Sequence, residues 1–362
     1  MTDGPIMIVA GGTGGHVFPG LAVAAAIRAR SGSVVWMGTH RGLEARLVPA
    51  AGIEIEWITV TGLRGRGVAA WLAAPFKLLV AVCQALAAMR RRRPAAVLGM
   101  GGFVSGPGGL AAWLTRRPLL IHEQNAVAGT ANRWLARLTA HVFEAFPDSF
   151  PSNRATAQIG NPVREEIRAL AAPAARFASR RNGCARLLVI GGSQGARTLN
   201  REVPAALARL GAELEIDVWH QAGAEIEAAR AAYANVDCEL RLEQFIDDIA
   251  EAYAWADLVV CRAGALTIAE LTVAGLGAVL VPYPYAIDDH QTRNAAFFAA
   301  NGAGIVIAEA DLDAARLERE LARLFTDRQA LLHMAECAHA QAQRDAADRL
   351  AGACLAAAGR SA

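Results

Sequence analysis

Ile6-Met7-Ile8-Val9-Ala10-Gly11-Gly12-Thr13-Gly14-Gly15-His16-Val17-Phe18-Pro19-Gly20 is the stretch whose reading decides the fold. The apolar run Ile6–Ala10 has the length of a buried strand. From Val17 onward the pattern is helical, with Pro19 tolerated in the first turn, where no intrahelical donor is lost. Between them, four glycines let the backbone approach a ligand closely. The helix start adds free N–H groups at the positive end of its dipole. An anion site is one reading of this turn, and a tight strand-to-helix connection with no ligand is the other. Neither common nucleotide fingerprint fits. No Gly-Lys-Ser/Thr follows, as a Walker A loop requires, and Val17 stands where a dinucleotide fold places its last glycine.

The same succession of strand, glycine loop and helix returns roughly 180 residues later, a spacing that fits a second α/β domain of ordinary size. There Leu187–Ile190 leads into Gly191-Gly192-Ser193-Gln194-Gly195-Ala196. Short apolar runs alternate with helical segments throughout, as α/β domains require. The predicted strands of the first half are Ile6–Ala10, Ser33–Met37, Glu54–Ile58, Ala96–Leu98, Leu119–Ile121 and His141–Phe143. Those of the second are Leu187–Ile190, Glu215–His220, Cys238–Leu242, Leu258–Cys261 and Ala278–Val281. The pattern pauses around Gly160-Asn161-Pro162-Val163-Arg164. The expected architecture is two Rossmann-like domains, 1–162 and 163–338, facing across a cleft, with a C-terminal helix in 339–362 crossing back to the first.

A chain of 362 residues, 54% hydrophobic and 19% charged, has ample material for two cores. Its net charge of +2 argues against nucleic acid as a partner. The six cysteines form no C-x-x-C pair, which points to a reducing compartment and no zinc site. No signal peptide is read at the start of the chain. The apolar segment from Val68 to Met89, ended by Arg90–Arg93, is interrupted by Pro75, Lys77 and Gln84 and falls short of a membrane span. It reads either as a packed amphipathic helix whose arginines complement the dipole, or as a peripheral membrane patch. In the second reading Trp71, Leu72, Phe76 and Leu79 are the apolar contacts, and the arginines, with Lys77, Arg64 and Arg66, attract anionic lipid.

Three further clusters carry candidate chemistry. The stretch Gly99–Gly109, with Gly101, Gly102 and Ser105, is a second glycine loop after a strand. His122-Glu123-Gln124-Asn125 is a polar group at a strand's carboxyl end, where ligands sit in open α/β sheets; capping and loop hydrogen bonds are the plainer reading. Arg262-Ala263-Gly264-Ala265-Leu266-Thr267 opens a helix whose N–H groups suit a diphosphate, with Glu270 placed either to accept from ribose hydroxyls or to cap. Asp311-Leu312-Asp313 is a D-x-D that begins a helix and reads as capping acids rather than a metal site.

Nine segments carry a resemblance in order along essentially the whole chain: GGTGGHVFPGLAVA (11–24), GLRGRG (62–67), GGFVSGPGG (101–109), HEQN (122–125), GNPVR (160–164), GGSQGA (191–196), FIDD (245–248), CRAGALTIAE (261–270) and HQTRN (290–294). Together they resemble the MurG family of bacterial glycosyltransferases. The resemblance implies a GT-B fold and transfer of N-acetylglucosamine from UDP-GlcNAc to lipid I (undecaprenyl-diphosphoryl-N-acetylmuramoyl-pentapeptide), forming lipid II for peptidoglycan. No cofactor or metal is implied.

By the same resemblance the second domain holds the nucleotide: Ile246 reads uracil through its main chain, Glu270 holds the ribose, and Ser193, Leu266 and Thr267 bind the diphosphate, with Arg164 adding charge. Asn125, Ala265 and Gln291 would contact the GlcNAc ring, and Thr13, Gly14 and Gly15 would approach it across the cleft. Gly11, Gly12, Gly101, Gly102 and Ser105 would take the acceptor diphosphate. The patch around Trp71, Leu72, Phe76 and Leu79 would rest on the cytoplasmic face of the inner membrane. Cell-wall and division proteins are further partners this role allows. Met100, Phe103 and the segment 283–287 depart from the family pattern and bear on acceptor contacts.

An α-linked donor giving a β-1,4 product needs inversion, hence a base for the acceptor hydroxyl. His16 is the first candidate, because an imidazole titrates near neutral pH; a histidine that only hydrogen-bonds substrate is the alternative. Glu123 and His122 are the next candidates. Two other classes share parts of the pattern. A UDP-GlcNAc 2-epimerase has the same two-domain architecture, and a non-catalytic cell-wall scaffold would bind without turnover.

Overall fold

The computed structural model describes residues 4–60, 74–180, 184–191, 196–211 and 214–359, which form two compact units. The first unit is residues 1–164 with 344–362, and the second is 165–343. Arg164 therefore belongs to the first unit.

The first unit is built on a parallel sheet of β1 (Ile6–Val9), β2 (Val34–Gly38), β3 (Glu54–Trp57), β4 (Ala96–Gly99), β5 (Leu119–Glu123), β6 (His141–Glu144) and β7 (Ala157–Gln158), in the order β3-β2-β1-β4-β5-β6-β7. Side-chain alternation along β1 divides the core between the two faces of the sheet. Ile6 and Ile8 pack with Val17 and Ile27 of the helix Gly14–Ala29 and with Leu350 and Leu355 of the helix Ala346–Ala357. Met7 and Val9 pack on the other face with Ala85 and Met89 of the helix Ala74–Arg92, and with Ala111 of the helix Ser105–Leu114. The returning C-terminal helix thus completes one face of this core, and Arg30 pairs with its Asp348 at 3.1 Å.

The second unit repeats the plan. Its parallel sheet comprises β8 (Ala185–Ile190), β9 (Ile216–Gln221), β10 (Leu240–Glu243), β11 (Leu258–Cys261), β12 (Gly277–Leu280) and β13 (Gly304–Val306), in the order β10-β9-β8-β11-β12-β13. Leu187 and Val189 of β8 pack with Leu199 and Val203 from the helix Arg197–Leu210 and with Leu317 and Leu321 from the helix Ala314–Thr326. Asp313 caps that last helix, its carboxylate accepting from the Arg316 N–H at 2.7 Å, as read for the D-x-D.

In both sheets the chain leaves its first strand to one side, then returns to pair a fourth strand on the other, so β1/β4 and β8/β11 are switch points. The loops after these strands diverge there and leave room for ligands at the sheet's carboxyl edge. β7 and β13 were not expected; at two and three residues they are too short to show a period.

Each unit buries a neutral histidine. Burial, with the His16 charge adding to it, pushes His122 down from 6.5 to about 4, against its bond to Gly160. Burial alone takes His220 from 6.5 to about 4; its ring nitrogens bond Tyr233 at 2.9 Å and Asn200 at 3.0 Å. The unfolded chain binds these protons below its ordinary value, whereas the folded chain refuses them until about pH 4. Stability should accordingly be full above pH 6.5 and fall as pH drops from 6.5 to about 4, by about 3 kcal/mol per ring. Urea midpoints measured across this range, in wild type and His220→Gln, check the sign and size.

Candidate active site

The first unit brings its two glycine loops together because β1 and β4 are neighbours. The helix after β1 starts at Gly14 rather than Val17, with Thr13 at the N-cap, so Gly14, Gly15 and His16 form its first turn. The carbonyl of Thr13 accepts from the N–H groups of His16 (3.1 Å) and Val17 (3.2 Å). Pro19 consequently lies inside the helix, one turn further in than expected, where it forfeits a main-chain bond. The sequence hides this start because Gly14-Gly15 have poor helix propensity; the first turn is closed by the Thr13 carbonyl, while the Thr13 side chain makes no capping bond.

The loop after β4 lies against this turn. Gly102 has φ +78°, and a Cβ there would fall 2.3 Å from the Gly11 carbonyl oxygen. Gly101 has φ +91°, and a Cβ would stand 2.7 Å from His16 Nδ1 and 3.1 Å from Gln124 Oε1. Not all of the Gly99–Gly109 stretch is loop: the helix begins at Ser105, and Gly108 lets it close against Val9. The Ser105 hydroxyl is buried 2.7 Å from the Gly101 carbonyl and 3.1 Å from that of Val9, so its one proton is used inside the protein. Ser105 thus shapes the loop and has no proton left for a diphosphate.

A fully buried carboxylate supports the first loop. Glu44 accepts from the Gly12 N–H at 2.9 Å, and from the Thr39 N–H at 3.0 Å and hydroxyl at 2.8 Å. Sequence reading missed it, because an acid in the first turn of a short helix looks like an ordinary solvent-facing residue.

His122 and Glu123 close strand β5 instead of following it, and both are buried, at 0% and 2% exposure. Glu123 receives the N–H and Nδ2 of Asn125 on Oε1 (3.0 and 3.2 Å), and the Gly129 N–H (3.0 Å) and Asn132 Nδ2 (2.8 Å) on Oε2. With both oxygens engaged, it organises the turn that carries Asn125. His122 bonds the Gly160 carbonyl through Nε2 (2.9 Å) and Gln124 Nε2 through Nδ1 (3.1 Å). Gln124 Oε1 lies 3.1 Å from His16 Nδ1. His16 is half-buried, and it joins this network of described residues through Nδ1. The guanidinium of Arg164 sits 4.5 Å over the Phe18 ring.

In the second unit, Ser193 lies outside the described residues, as do Trp71 and Leu72. The loop after β11 is held by buried Asn294, whose Nδ2 donates to the Ala263 carbonyl at 3.1 Å. Gly264 is the N-cap of the helix Ala265–Ala274, so Ala265, Leu266 and Thr267 present the first-turn N–H groups. Glu270 is buried on that helix and accepts from the Tyr253 hydroxyl at 3.1 Å, which is orientation rather than capping. Ile246 is buried in the connection after β10. Gln291, in the first turn of the helix His290–Ala300, accepts the Tyr283 N–H at 2.9 Å. Arg262, which sequence reading left without a role, donates to the Val281 carbonyl at 3.1 Å and pairs with Glu309, itself bonded by the Thr198 hydroxyl at 2.7 Å.

The helix Ala74–Arg92 is packed along one part and exposed along another. Its second half packs Ala81, Val82, Ala85, Ala88 and Met89 inward, while Phe76, Leu78 and Leu79 near its start are exposed. Of the terminal arginines, Arg91 and Arg92 are committed to Glu56, and Arg92 also to Glu54. No helix among the described residues is long and apolar enough to cross a membrane.

The chain matches the glycosyltransferase family 28 N-terminal domain over residues 6–144 and the glycosyltransferase family 28 C-terminal domain over 186–350. It is 58% identical over 351 residues to the UDP-N-acetylglucosamine–N-acetylmuramyl-(pentapeptide) pyrophosphoryl-undecaprenol N-acetylglucosamine transferase of Nitrosococcus oceani, covering 97% of this chain and 98% of that one. Among solved structures, MurG of Acinetobacter baumannii superposes with a TM-score of 0.83 at 39% identity, over 98% of this chain and 99% of that one. The UDP-GlcNAc 2-epimerase of Neisseria meningitidis, at 12% identity and a TM-score of 0.66 over 96% and 98%, shares the fold alone. The chain has the GT-B fold and belongs to glycosyltransferase family 28, within the MurG family of N-acetylglucosamine transferases.

Proposed function

We propose that this protein transfers N-acetylglucosamine from UDP-GlcNAc to the C4 hydroxyl of the N-acetylmuramoyl residue in lipid I, forming lipid II and UDP. The observation that carries this reading is the full-length 58% identity to a transferase named for that reaction. The chemistry is one displacement. As the acceptor oxygen bonds to the anomeric carbon, its proton passes to His16 Nε2 and the bond from that carbon to the diphosphate breaks, its electron pair leaving with UDP. The imidazolium then releases the proton to solvent. His16 is chosen because it stands in the glycine turn with one nitrogen anchored, whereas His122 and Glu123 are buried and fully engaged.

Charge developing on the leaving diphosphate is met by the first-turn N–H groups of Ala265, Leu266 and Thr267, with no protein-bound metal in the scheme. Glu270, oriented by Tyr253, holds the ribose, the main chain of Ile246 reads the base, and Gln291 and Asn125 contact the sugar. The loops of Gly11–Gly15 and Gly101–Gly102 take the acceptor diphosphate. The test is a transfer assay with UDP-GlcNAc and a lipid I analogue, with and without chelator. Formation of UDP and a new disaccharide in both conditions supports the reading. Isomerised sugar nucleotide, without a disaccharide, would identify an epimerase instead.

The acceptor's lipid supports a peripheral location at the cytoplasmic face of the inner membrane. Exposed Phe76 (70%) and Leu79 (59%) beside Lys77 support a surface contact with anionic lipid. Phe76→Glu/Leu79→Glu should weaken sedimentation with anionic vesicles by about tenfold or more while leaving turnover of a short-chain, soluble acceptor unchanged.

A further inference from the structure

We infer that Gln124 and His122 are positioning residues that fix the tautomer of His16, holding its proton on Nδ1 and leaving Nε2 as the accepting nitrogen. The inference rests on the reading of His16 as the base, but its geometry stands independently. It begins at the Gly160 carbonyl, which can only accept. His122 Nε2, 2.9 Å away, must therefore carry the ring proton. In a neutral imidazole the other nitrogen then has a lone pair, so His122 Nδ1 accepts. Facing it at 3.1 Å is Gln124 Nε2, which also lies 3.3 Å from the His122 carbonyl oxygen. Both of these partners accept, and they fix that end of the amide as the NH2 group. The opposite end, Oε1, can only accept, and it points at His16 Nδ1 from 3.1 Å. His16 Nδ1 must be the donor, and its Nε2 is a bare lone pair.

The relay is built into the fold and shielded from solvent. His122 is 0% exposed and Gln124 is 1% exposed. Asn161 Nδ2 donates to the Gln124 carbonyl at 3.0 Å, fixing the main chain beneath the amide. Gly101 passes so near that any Cβ would stand against the His16–Gln124 bond. Burial also keeps His122 neutral down to about pH 4, so the acceptor on which the amide's orientation depends persists at working pH. A neutral amide here takes the orienting place that a carboxylate fills in hydrolase triads, where the wrong histidine tautomer costs up to about 10⁴-fold in kcat. The absence of a carboxylate has its own consequence. The ring is oriented without a fixed anion that would retain the proton it accepts.

The experiment is long-range 15N–1H correlation NMR on histidine-labelled protein at neutral pH, with His16 assigned by its absence from a His16→Gln spectrum. The expected result is the Nδ1–H tautomer at His16 in wild type, lost in Gln124→Met, which keeps the side-chain volume but offers no acceptor. In the same variant kcat should fall by about 10²-fold, with the Kd for UDP-GlcNAc unchanged. A dominant Nε2–H tautomer in wild type would overturn the inference, as would an undiminished Nδ1–H preference in Gln124→Met. The wild-type spectrum decides the matter even if the variant does not fold. If the tautomer is as inferred but His16→Gln transfers normally, the relay stands and the assignment of the base fails.

Discussion

His16→Ala is expected to lower kcat for transfer by about 10²- to 10⁴-fold, the usual contribution of a positioned proton acceptor, while UDP-GlcNAc still binds. The split between these two readouts follows from location. His16 is in the first unit, whereas the N–H groups and carboxylate proposed to hold the nucleotide belong to the helix Ala265–Ala274 of the second. Removing the ring also strips Gln124 Oε1 of its donor, which at a buried acceptor costs about 1–3 kcal/mol of stability. Circular dichroism and urea unfolding keep that cost separate from lost chemistry. His16→Gln sharpens the comparison, because its amide can donate to Gln124 but cannot take a proton near neutral pH. Both variants should be equally slow. Activity retained by either would remove His16 from the role of base.

Gly101→Ala should be nearly as damaging although it deletes nothing. At φ +91° the backbone is in the left-handed region, where a side chain costs about 1–3 kcal/mol. Space is the second obstacle, since the new methyl would stand 2.7 Å from His16 Nδ1. The ring can turn away only by breaking its bond to Gln124, so relief of the clash displaces the base. A fall of about 10²-fold in kcat is expected, because misplacing a reacting group by an ångström costs about that much. Gly106→Ala is the matched control for stability: nothing lies within 4 Å of its Cβ, and it sits in a helix, where alanine is favoured. Differential scanning calorimetry should show a lower Tm for Gly101→Ala and no loss for Gly106→Ala.

Much of the architecture was readable because it depends on local patterns. Buried parallel strands are short apolar runs, so β1, β4, β8 and β11 stood out. Their following glycines marked both switch points, and the repeat marked the second unit. The site was less readable where polar residues are buried for reasons distant in sequence. His122 and Glu123 looked like loop residues, since hydrogen-bonding side chains interrupt an apolar strand pattern, yet they end β5 in full burial. Their partners Gly160 and Asn132 come from elsewhere in the chain, and no spacing rule connects them. Glu44 was silent for the same reason: its partners Gly12 and Thr39 meet it only in the folded unit. The early start of the first helix was hidden by the low helix propensity of Gly14 and Gly15. The bonds of the Ser105 hydroxyl to the Val9 and Gly101 carbonyls were equally silent, because Val9 lies far from it in sequence.

The proposed single displacement at the anomeric carbon, with the acceptor proton taken by His16, fixes the configuration of the bond that forms. Product made from α-linked UDP-GlcNAc and a lipid I analogue, with chelator present, can be read by proton NMR at the new anomeric centre. A β-1,4 linkage is the predicted result. An α linkage would rule out the single displacement, because retention requires two displacements and a protein nucleophile between them.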